Sequence, residues 1–355
     1  MKMDKIRVLV AGCGHMGASH ARAYQAHAGF EIVGLVSRSP QSRDRLSAEL
    51  GGLPTFADYE EALKTAKPDA VSINTYPDSH AAYAKLALEN NCHVFVEKPL
   101  ATTVEEAQLL VDLANSKNKK IVIGYILRVH PSWTKFVDLA KTLGKPLVMR
   151  MNLNQQSSGD NWFTHKQIMQ SMSPIVDCGV HYVDMMCLMT EATPVRVHAI
   201  GARLTEEVDS EMYNYGHLHV VFDDGSVGWY EAGWGPMISE TAYFIKDVIG
   251  PEGCVSISDK PPGGTDDVEG HTKTGGLLLH HSSLDSNNQF AKQDEYINTD
   301  EEPDHDGLCA LEQEYFFKAI AGDLDISQHM NDAIRSLQIV LAADTSIRSG
   351  KSIEI

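Results

Sequence analysis

The sequence predicts two domains, an α/β domain built on a parallel sheet and an α+β domain built on a mostly antiparallel sheet. Short β-rich runs alternate with helical patterns from residue 6 to about 125, and longer β-like runs dominate after about residue 145. Strands that alternate with helices of this length are typical of βαβ units and therefore of a parallel sheet. At 355 residues the chain is long enough for two cores. We therefore predict domains at 1–125 and 126–355.

The elements of the first domain follow in chain order. Strands are predicted at "IRVLVAG", "FEIVGLV", "AVSINT", "HVFVEKP" and "KIVIGY". Helices are predicted through Tyr24, near Arg45, and in "SHAAYAKLALEN" and "TVEEAQLLVDLANS". N-cap spacing, in which a short polar residue precedes Glu by three positions, marks two helix starts: Asp58 with Glu61 and Thr103 with Glu106.

The second domain has longer β-like runs than the first, and they do not alternate regularly with helices. Its β-like runs are "PLVMRMNLNQ", "VRVHAIGARL", "NYGHLHVVFDDGSVGWYEAGWG" and "AYFIKDVIGPEGCVSIS". The Asp-Asp-Gly-Ser turn at 223–226 lies between alternating runs and predicts a hairpin. A helical stretch is predicted at 165–189, loops at 259–290, and a last pair of helices at roughly 307–349. His280 and His281 lie in the predicted loops and form only a weak metal-ligand pattern.

Composition excludes several classes of function. Thirty Lys and Arg against 48 Asp and Glu give a net charge of −18, which argues against nucleic acid or an anionic membrane as a partner. The chain reaches a strand within a few residues and has no apolar run long enough to span a membrane, so we expect a cytoplasmic protein. Six cysteines without C-x-x-C spacing indicate neither a zinc site nor a disulfide framework.

The stretch "AGCGHMG" has the G-x-G-x-x-G spacing of a dinucleotide site. It follows a strand and opens a helix, which is the context that gives this common pattern its meaning. Gly12 would allow the tight turn, Gly14 the close approach of a pyrophosphate, and Gly17 the packing of helix on strand. The helix N-terminus would then stabilise phosphate charge. We predict that the cofactor lies on the whole turn: Gly12, Cys13, Gly14, His15, Met16 and Gly17.

The end of the second strand predicts which nicotinamide cofactor is bound. An Asp or Glu there would accept hydrogen bonds from the ribose 2′-hydroxyl of NAD. This chain has Ser37 and Arg38 instead, and Arg can pair with a 2′-phosphate. NADP is therefore favoured and NAD remains possible, unless Arg38 is an exposed side chain with no role.

Two further segments place polar residues where chemistry is expected. Glu97, Lys98 and Pro99 follow a strand whose carboxyl end opens on the ligand crevice, so Lys98 could donate to a substrate oxygen. In "IVDCGVHYVD", a helical Asp177, His181 and Asp184 would share one face. This stripe could be the wet side of an amphipathic helix, a set of metal ligands, or a catalytic His with Asp177 as its orienter.

These motifs, in this order and spacing, resemble the glucose-fructose oxidoreductase / inositol dehydrogenase / rhizopine catabolism (Gfo/Idh/MocA) family. The resemblance covers nearly the whole chain, including "GPEGCVSI" and "SLQIVLAADTSIRSGKSIEI". It implies a doubly wound Rossmann domain, a second domain with an open-faced sheet, and oxidation of a sugar or cyclitol hydroxyl, or the reverse. It also implies a homodimer or homotetramer formed through the sheet face.

The family's catalytic residues fall on Lys98, Asp177 and His181. Physical reasoning agrees, because hydride removal needs a base such as His181, a group such as Asp177 to fix its tautomer, and a donor such as Lys98 to hold the oxygen. Asp184 would support the pair or bind sugar, and no metal is needed when a cofactor accepts the hydride.

Two segments depart from the family pattern. In "NTYPDSH", Thr75 and His80 keep their positions near the nicotinamide, but Tyr76 replaces the usual Pro. In "SMSP", at 171–174, many members have glycines instead. Together with the Gly-rich turn, the predicted cofactor residues are Ser37, Arg38, Thr75, His80, Glu97 and Lys98.

Substrate contacts are predicted from residue type. The segment "NQQSSGDNWFTHK" lies between a strand and a helix and offers aromatic faces and hydrogen-bonding groups that suit a polyol. The candidates, beside the catalytic residues and Asp184, are Tyr125, Arg128, Asp160, Trp162, His165 and Lys166. Ordinary packing or surface roles remain the alternative for each of them.

The sequence therefore predicts an NADP-preferring dehydrogenase or reductase acting on a sugar, sugar derivative or cyclitol. One alternative is a glycoside hydrolase or lyase whose retained NAD transiently oxidises the sugar. Another is a cofactor-binding regulator without chemistry, which Lys98, Asp177 and His181 argue against.

Overall fold

The structure, a computed structural model, describes residues 5–239, 245–257, 274–299 and 302–355. The chain divides into two compact units. The first unit is Met1–Val129 with Pro303–Ile334, and the second is His130–Glu302 with Arg335–Ile355.

The first unit contains a six-stranded sheet in which every neighbouring pair is parallel, as predicted. Its strands are β1 Ile6–Ala11, β2 Phe30–Val36, β3 Thr55–Phe56, β4 Ala70–Ile73, β5 His93–Val96 and β6 Ile121–Ile123. Its helices are α1 His15–Ala26, α2 Pro40–Glu49, α3 Tyr59–Ala66, α4 Pro77–Glu89 and α5 Val104–Ser116, followed by a 3₁₀ turn at Ile126–Arg128. The short strand β3 was not predicted.

In the strand order β3-β2-β1-β4-β5-β6, the chain adds β2 and β3 on one side of β1 and then β4, β5 and β6 on the other side. The switch point of the sheet therefore lies between β1 and β4. In a doubly wound sheet, ligands bind beyond the carboxyl ends of the strands at this switch point. β4 is buried throughout and β1 and β5 nearly so, which explains why these strands read as continuous apolar runs. The two predicted caps are confirmed, because Asp58 accepts from the Glu61 N–H and Thr103 from the Glu106 N–H.

The second unit contains a nine-stranded sheet in which one neighbouring pair is parallel while the others are antiparallel. Its strands are β7 Val148–Gln156, β8 Pro194–Ala202, β9 Tyr215–Phe222, β10 Val227–Gly235, β11 Lys246–Gly250, β12 Gly253–Ile257, β13 Leu277–His281, β14 Glu295–Ile297 and β15 Ile353–Glu354; the parallel pair is β7 with β10. Their order in the sheet is β14-β13-β12-β11-β7-β10-β9-β8-β15. Its first helices are α6 Pro131–Lys141, α7 Gly159–Ile168, α8 Pro174–Asp177 and α9 Gly179–Thr190.

Several second-domain predictions are tested by these elements. The hairpin at 223–226 is confirmed, and Gly225 takes the left-handed conformation at φ +82° that such a turn favours. The predicted loop at 259–290 is wrong over β13, where His280 bonds Asp294 and His281 bonds Glu295; residues 259–273 lie outside the described residues. The predicted single helical stretch at 165–189 is also wrong, because it forms three helices.

Proline explains one of those breaks. Pro174 occupies the first turn of α8, and the residue before a proline is disfavoured in helical conformation. Ser173 is accordingly extended, with ψ 161°, and its side chain caps the new helix. The second break falls at Cys178, between α8 and α9.

The final helices are α10 His305–Ala321 and α11 Ser327–Ser349, close to the predicted pair. Residues 303–334 belong to the first compact unit, although the sequence analysis placed everything beyond 126 in the second domain. The reason is apolar packing: the Phe316 ring lies 6.1 Å from that of Phe30 and 6.0 Å from that of Phe95. Within the described ranges, no helix is long and apolar enough to cross a membrane.

Candidate functional site

The Gly-rich turn after β1 needs glycine at two of its three positions. A Cβ on Gly12 would lie 2.3 Å from the Asn74 carbonyl oxygen, and one on Gly17 would lie 1.9 Å from the Gly12 carbonyl oxygen. Gly12 also has φ +94°, which side-chain-bearing residues rarely adopt. Beyond Gly14 the space is open, so a ligand can approach the backbone there.

The start of α1 can receive a phosphate group. Gly14 is the N-cap and supplies no side-chain acceptor, so the N–H groups of the first turn face outward without a cap. His15 is exposed and Met16 half-buried, whereas Cys13 is buried with Sγ 3.5 Å from the Val36 carbonyl oxygen. Burial raises the pKa of the Cys13 thiol to about 11. Cys13 can therefore offer its backbone, but not a reactive thiolate, to a ligand.

The end of β2 combines an exposed cation with a second helix start. Arg38 is exposed, and Ser39 caps α2 by accepting from the Ser42 N–H at 3.3 Å. Arg43, which the sequence analysis missed, donates from Nη1 to the Ser37 carbonyl oxygen at 2.8 Å. Arg43 lies one helical turn after the cap residue Ser39, and this spacing could have predicted that its side chain reaches back to the end of β2. Two guanidinium groups and a helix N-terminus thus give this segment positive potential.

The loop after β4 is tied to the loop after β5 by His80. Its Nδ1 lies 2.8 Å from the Pro99 carbonyl oxygen and its Nε2 lies 3.0 Å from that of Thr75. The imidazole is fully buried, and burial lowers its pKa. The Thr75 hydroxyl bonds Ser79 at 2.7 Å, and Tyr76 is exposed at the start of α4. His80 therefore holds the two loops together through its two ring nitrogens, and the ring is not available to a ligand.

Glu97 and Lys98 follow β5 directly, and their side chains differ in burial. The Glu97 carboxylate lies 2.8 Å from His20 Nε2 and also accepts from the Lys98 N–H at 3.3 Å. Burial alone would raise the pKa of Glu97, but the His20 hydrogen bond and nearby positive charge bring it below its usual value. Lys98 is half-buried. Glu97 thus anchors the loop that carries Lys98, and its partner His20 was missed by sequence reasoning.

Tyr125 and Arg128 are packed within the first unit. The Tyr125 ring is buried and lies 5.9 Å from the His329 ring. Arg128 donates from Nη2 to Asp332 Oδ2 at 2.8 Å, and both side chains are nearly inaccessible. This buried ion pair already accounts for the position of Arg128.

In the second unit, Asp177, His181 and Asp184 do not lie on one continuous helix. Asp177 ends α8, while His181 and Asp184 belong to α9, whose residues are all buried except half-buried Leu188. Exposure falls along the series, from half-buried Asp177 to His181 at 8% and Asp184 at 0%. The interpretation as the wet side of an amphipathic helix is therefore wrong.

A buried hydrogen-bond network holds the start of α8. Ser173 Oγ accepts from the Val176 N–H at 3.2 Å and bonds Asp344 Oδ1 and the Tyr213 hydroxyl, each at 2.8 Å. Burial raises the pKa of Asp344, although its hydrogen bonds from Tyr213 and Ser173 oppose this. The "SMSP" departure thus supplies the cap of the short helix that ends in Asp177.

A second cluster borders Asp177 from the sheet. Trp234 donates from Nε1 to Gln155 Oε1 at 2.8 Å, and the same oxygen lies 3.5 Å from Cys178 Sγ. His165 stacks on Trp234 with ring centroids 4.3 Å apart and bonds Ser157. Gln155 and Trp234 were not predicted, since neither stands in a motif.

The remaining substrate candidates lie on α7. The sequence predicts their segment as a link between a strand and a helix, whereas the structure forms a helix there. Asp160 is exposed in its first turn. Trp162 is buried and donates from Nε1 to Glu207 at 3.3 Å, and Lys166 bonds the same carboxylate at 2.7 Å. A cavity of about 360 Å³ beside Lys166 and Glu207 is large enough for a small ligand. His165 belongs to the Trp234 cluster, so the four candidates do not converge.

Comparisons with known proteins match both halves of the chain. Residues 6–125 match "Oxidoreductase family, NAD-binding Rossmann fold", and residues 139–244 match "GFO/IDH/MocA C-terminal domain". UDP-N-acetylglucosamine 3-dehydrogenase of Acidithiobacillus ferrooxidans is 30% identical over 208 residues, which are 58% of this chain and 62% of that protein. The chain thus aligns with less than two thirds of that relative.

Longer but weaker matches extend over the whole chain. The scyllo-inositol 2-dehydrogenase (NAD(+)) of Bacillus subtilis is 24% identical over 364 residues, covering 99% of this chain and 96% of that protein. The crystal structure of scyllo-inositol dehydrogenase from Lactobacillus casei superposes with a TM-score of 0.78 at 18% identity, covering 100% of this chain and 99% of that one. At that identity the superposition establishes the fold.

Proposed function

We propose, for a chain that belongs to the GFO/IDH/MocA oxidoreductase family, transfer of hydride between a nicotinamide cofactor and a hydroxyl or keto carbon of a sugar, sugar derivative or cyclitol. The observation that carries this proposal is the turn at Gly12–Gly17. Its backbone requires glycine, leaves space beyond Gly14 and ends on an uncapped helix N-terminus. These features fit a dinucleotide pyrophosphate, and the nicotinamide, when bound, accepts or supplies the hydride.

The chain's own residues would handle the proton and the oxygen. His181 takes the hydroxyl proton, because neutral imidazole is a suitable base near neutral pH. Asp177 fixes the tautomer of that imidazole, and Lys98 stabilises negative charge that develops on the oxygen. Asp184 is fully buried and supports α9 rather than touching sugar. These roles are proposed residue by residue.

Gln155, Trp234 and His165 are better placed than Asp160 to influence substrate choice. They form one hydrogen-bonded and stacked cluster that reaches Cys178, the neighbour of Asp177. Gln155 and His165 are half-buried, so an amide and an imidazole are available to bond sugar hydroxyls, whereas Trp234 is 1% exposed and holds these two side chains in place. This arrangement supports a polyol substrate rather than a flat aromatic one.

We also propose a homodimer or homotetramer in the cytoplasm. Helices of the second unit pack against one face of its sheet, and within the described residues the other face exposes apolar side chains that include Val148, Ile200, Val227 and Ile249. An open apolar sheet face of this kind favours self-association. Light scattering would determine the assembly, and a monomer at all concentrations would contradict this part of the proposal.

NADP should bind more tightly than NAD. Arg38 is exposed beside the start of α2, and one charge-assisted contact with a 2′-phosphate contributes roughly 1.5–3 kcal/mol. Arg38→Ala should therefore weaken NADP binding about tenfold or more while leaving NAD binding little changed. Calorimetric titration with both cofactors measures this. Arg45→Ala removes an exposed cation from the same helix and serves as the control; tighter NAD binding by the unmodified protein would reject the preference.

A screen of sugars and cyclitols with each cofactor tests the function itself. Absorbance of the reduced nicotinamide should change in proportion to substrate consumed. A glycoside hydrolase or lyase with retained NAD would instead release a leaving group without net cofactor reduction. If cofactor binds but no substrate is changed in either way, the chain is a binding protein without chemistry.

A further inference from the structure

A compact group of donor atoms lies inside the first unit, apart from the residues assigned to hydride transfer. His20 on α1 and Cys309 and Glu312 on α10 each offer one ligand atom, and these atoms lie within 4.8 Å of one another. Their exposed fractions are 0%, 0% and 4%. Imidazole nitrogen, thiolate sulfur and carboxylate oxygen are all donors that zinc accepts.

The spacing on α10 adds another donor. His305, Cys309 and Glu312 are at i, i+4 and i+7, so they project from one face of the helix. His305 Nε2 already lies 3.7 Å from Cys309 Sγ, and the His305 side chain is also buried. Together with His20 across the α1–α10 packing, this gives two nitrogens, one sulfur and one oxygen. That number suits a tetrahedral site.

Glu312 indicates that a partner belongs in this space. Among the described residues, its Oε1 atom is buried and accepts no hydrogen bond. A buried carboxyl oxygen in this state is costly, and the nearby Glu97 carboxylate would repel a negative charge on it. A bound cation would satisfy the oxygen and offset that repulsion.

His20 already has the environment of a metal-binding histidine. Its Nε2 lies 2.8 Å from Glu97 Oε1, while Nδ1 faces α10 and lies 2.8 Å from Gln313 Nε2. Metal-binding histidines commonly donate one N–H to a carboxylate while the other nitrogen binds the ion. Only the contact with the Gln313 amide would have to be released.

We propose that His20, His305, Cys309 and Glu312 form a buried binding site for Zn²⁺ that joins α1 to α10. Binding would release the thiol proton of Cys309 and any proton on Glu312 to solvent, leaving a thiolate and a carboxylate on the ion. The site is inaccessible to substrate, so its role is structural. Its four residues take no part in the proposed hydride transfer, although the His20–Glu97 hydrogen bond connects the site to the loop that carries Lys98.

Metal content of the whole 355-residue chain tests this proposal. Protein purified without chelator and passed through a desalting column should contain close to one equivalent of zinc. After removal of zinc, titration with Co²⁺ alone should produce thiolate-to-cobalt charge-transfer absorption in the near ultraviolet and the visible bands of tetrahedral cobalt. Cys309→Ser should abolish the thiolate band. Cys92→Ser, at a buried thiol of the same unit that contacts the Pro68 carbonyl oxygen, should retain it.

A second variant separates metal loss from misfolding. Glu312→Gln keeps the shape of the side chain and should lower cobalt affinity at least tenfold while circular dichroism stays unchanged. The proposal is overturned if the purified wild-type protein holds no metal and Co²⁺ gives no thiolate band, because Glu312 would then be a protonated carboxyl in a dry pocket. An unchanged cobalt spectrum in Cys309→Ser would overturn it as well.

Discussion

Replacing His181 with alanine should lower turnover about 10²–10⁴-fold, which is the usual contribution of general acid-base assistance. His181 is 8% exposed, so the substitution removes a mostly buried ring, and folding must be checked by thermal melting. Steady-state rates with a saturating sugar or cyclitol and cofactor measure the effect. The control is His280→Ala, which should leave turnover nearly unchanged. His280 lies on β13, and its side chain bonds Asp294.

Asp177→Asn should also reduce turnover, since it keeps the shape of the side chain but removes the charge that stabilises a protonated imidazole. The defect should be smaller than that of His181→Ala. If the wild-type enzyme binds a divalent metal whose loss abolishes turnover, and His181→Ala but not Cys309→Ser abolishes that binding, Asp177 and His181 are metal ligands instead. Normal turnover in His181→Ala would show that the residue is only structural.

The same assignment fixes the sign of the pH dependence. A base must be unprotonated in the free enzyme, so kcat/KM for oxidation should rise as the imidazole loses its proton. The midpoint of the rise reports the pKa of the group that takes the proton. For reduction of the keto compound, the protonated imidazole is the active form, and the dependence should be reversed. A rise that persists in His181→Ala would assign the titration to another group.

The parallel sheet of the first unit could be predicted because its signals are local. Apolar strands, the glycine turn and the two capped helices at Asp58 and Thr103 each depend on residues close in sequence. The attachment of α10 to this unit could not be predicted in the same way. It depends on contacts such as Phe30 with Phe316, which are distant in sequence and leave no periodic signal.

The predictions for individual site residues divide along the same line. Residue type and spacing predict Glu97 and His80 as cofactor-binding residues, but they could not reveal that the Glu97 carboxylate bonds His20 and that the His80 ring bonds two backbone carbonyls. The helix predicted at 165–189 runs through Ser173 and Pro174, although these two residues cap and begin a separate helix, α8. The absence of C-x-x-C spacing carries no information about the H-x-x-x-C-x-x-E pattern on α10, in which only one ligand is a cysteine.

Replacing Lys98 with methionine should lower turnover about 10²–10³-fold, comparable to removal of one donor to a developing oxyanion. Cofactor affinity should stay within a few-fold of wild type, because Lys98 follows β5 whereas the phosphate-binding turn follows β1. Calorimetry measures the affinity and stopped-flow single turnovers measure the chemical step. Lys85→Met, which removes an exposed lysine paired with Glu89 on α4, is the matched control.

Combining Lys98→Met with His181→Ala tests whether the two side chains act on one substrate oxygen. Residues that act as a unit lose far less together than the product of their separate losses. The double variant should therefore be only slightly slower than the worse single variant. Fully multiplicative losses would mean that Lys98 and His181 assist separate steps, and near-normal turnover in Lys98→Met alone would remove Lys98 from the mechanism and leave its ammonium a role in cofactor or substrate binding.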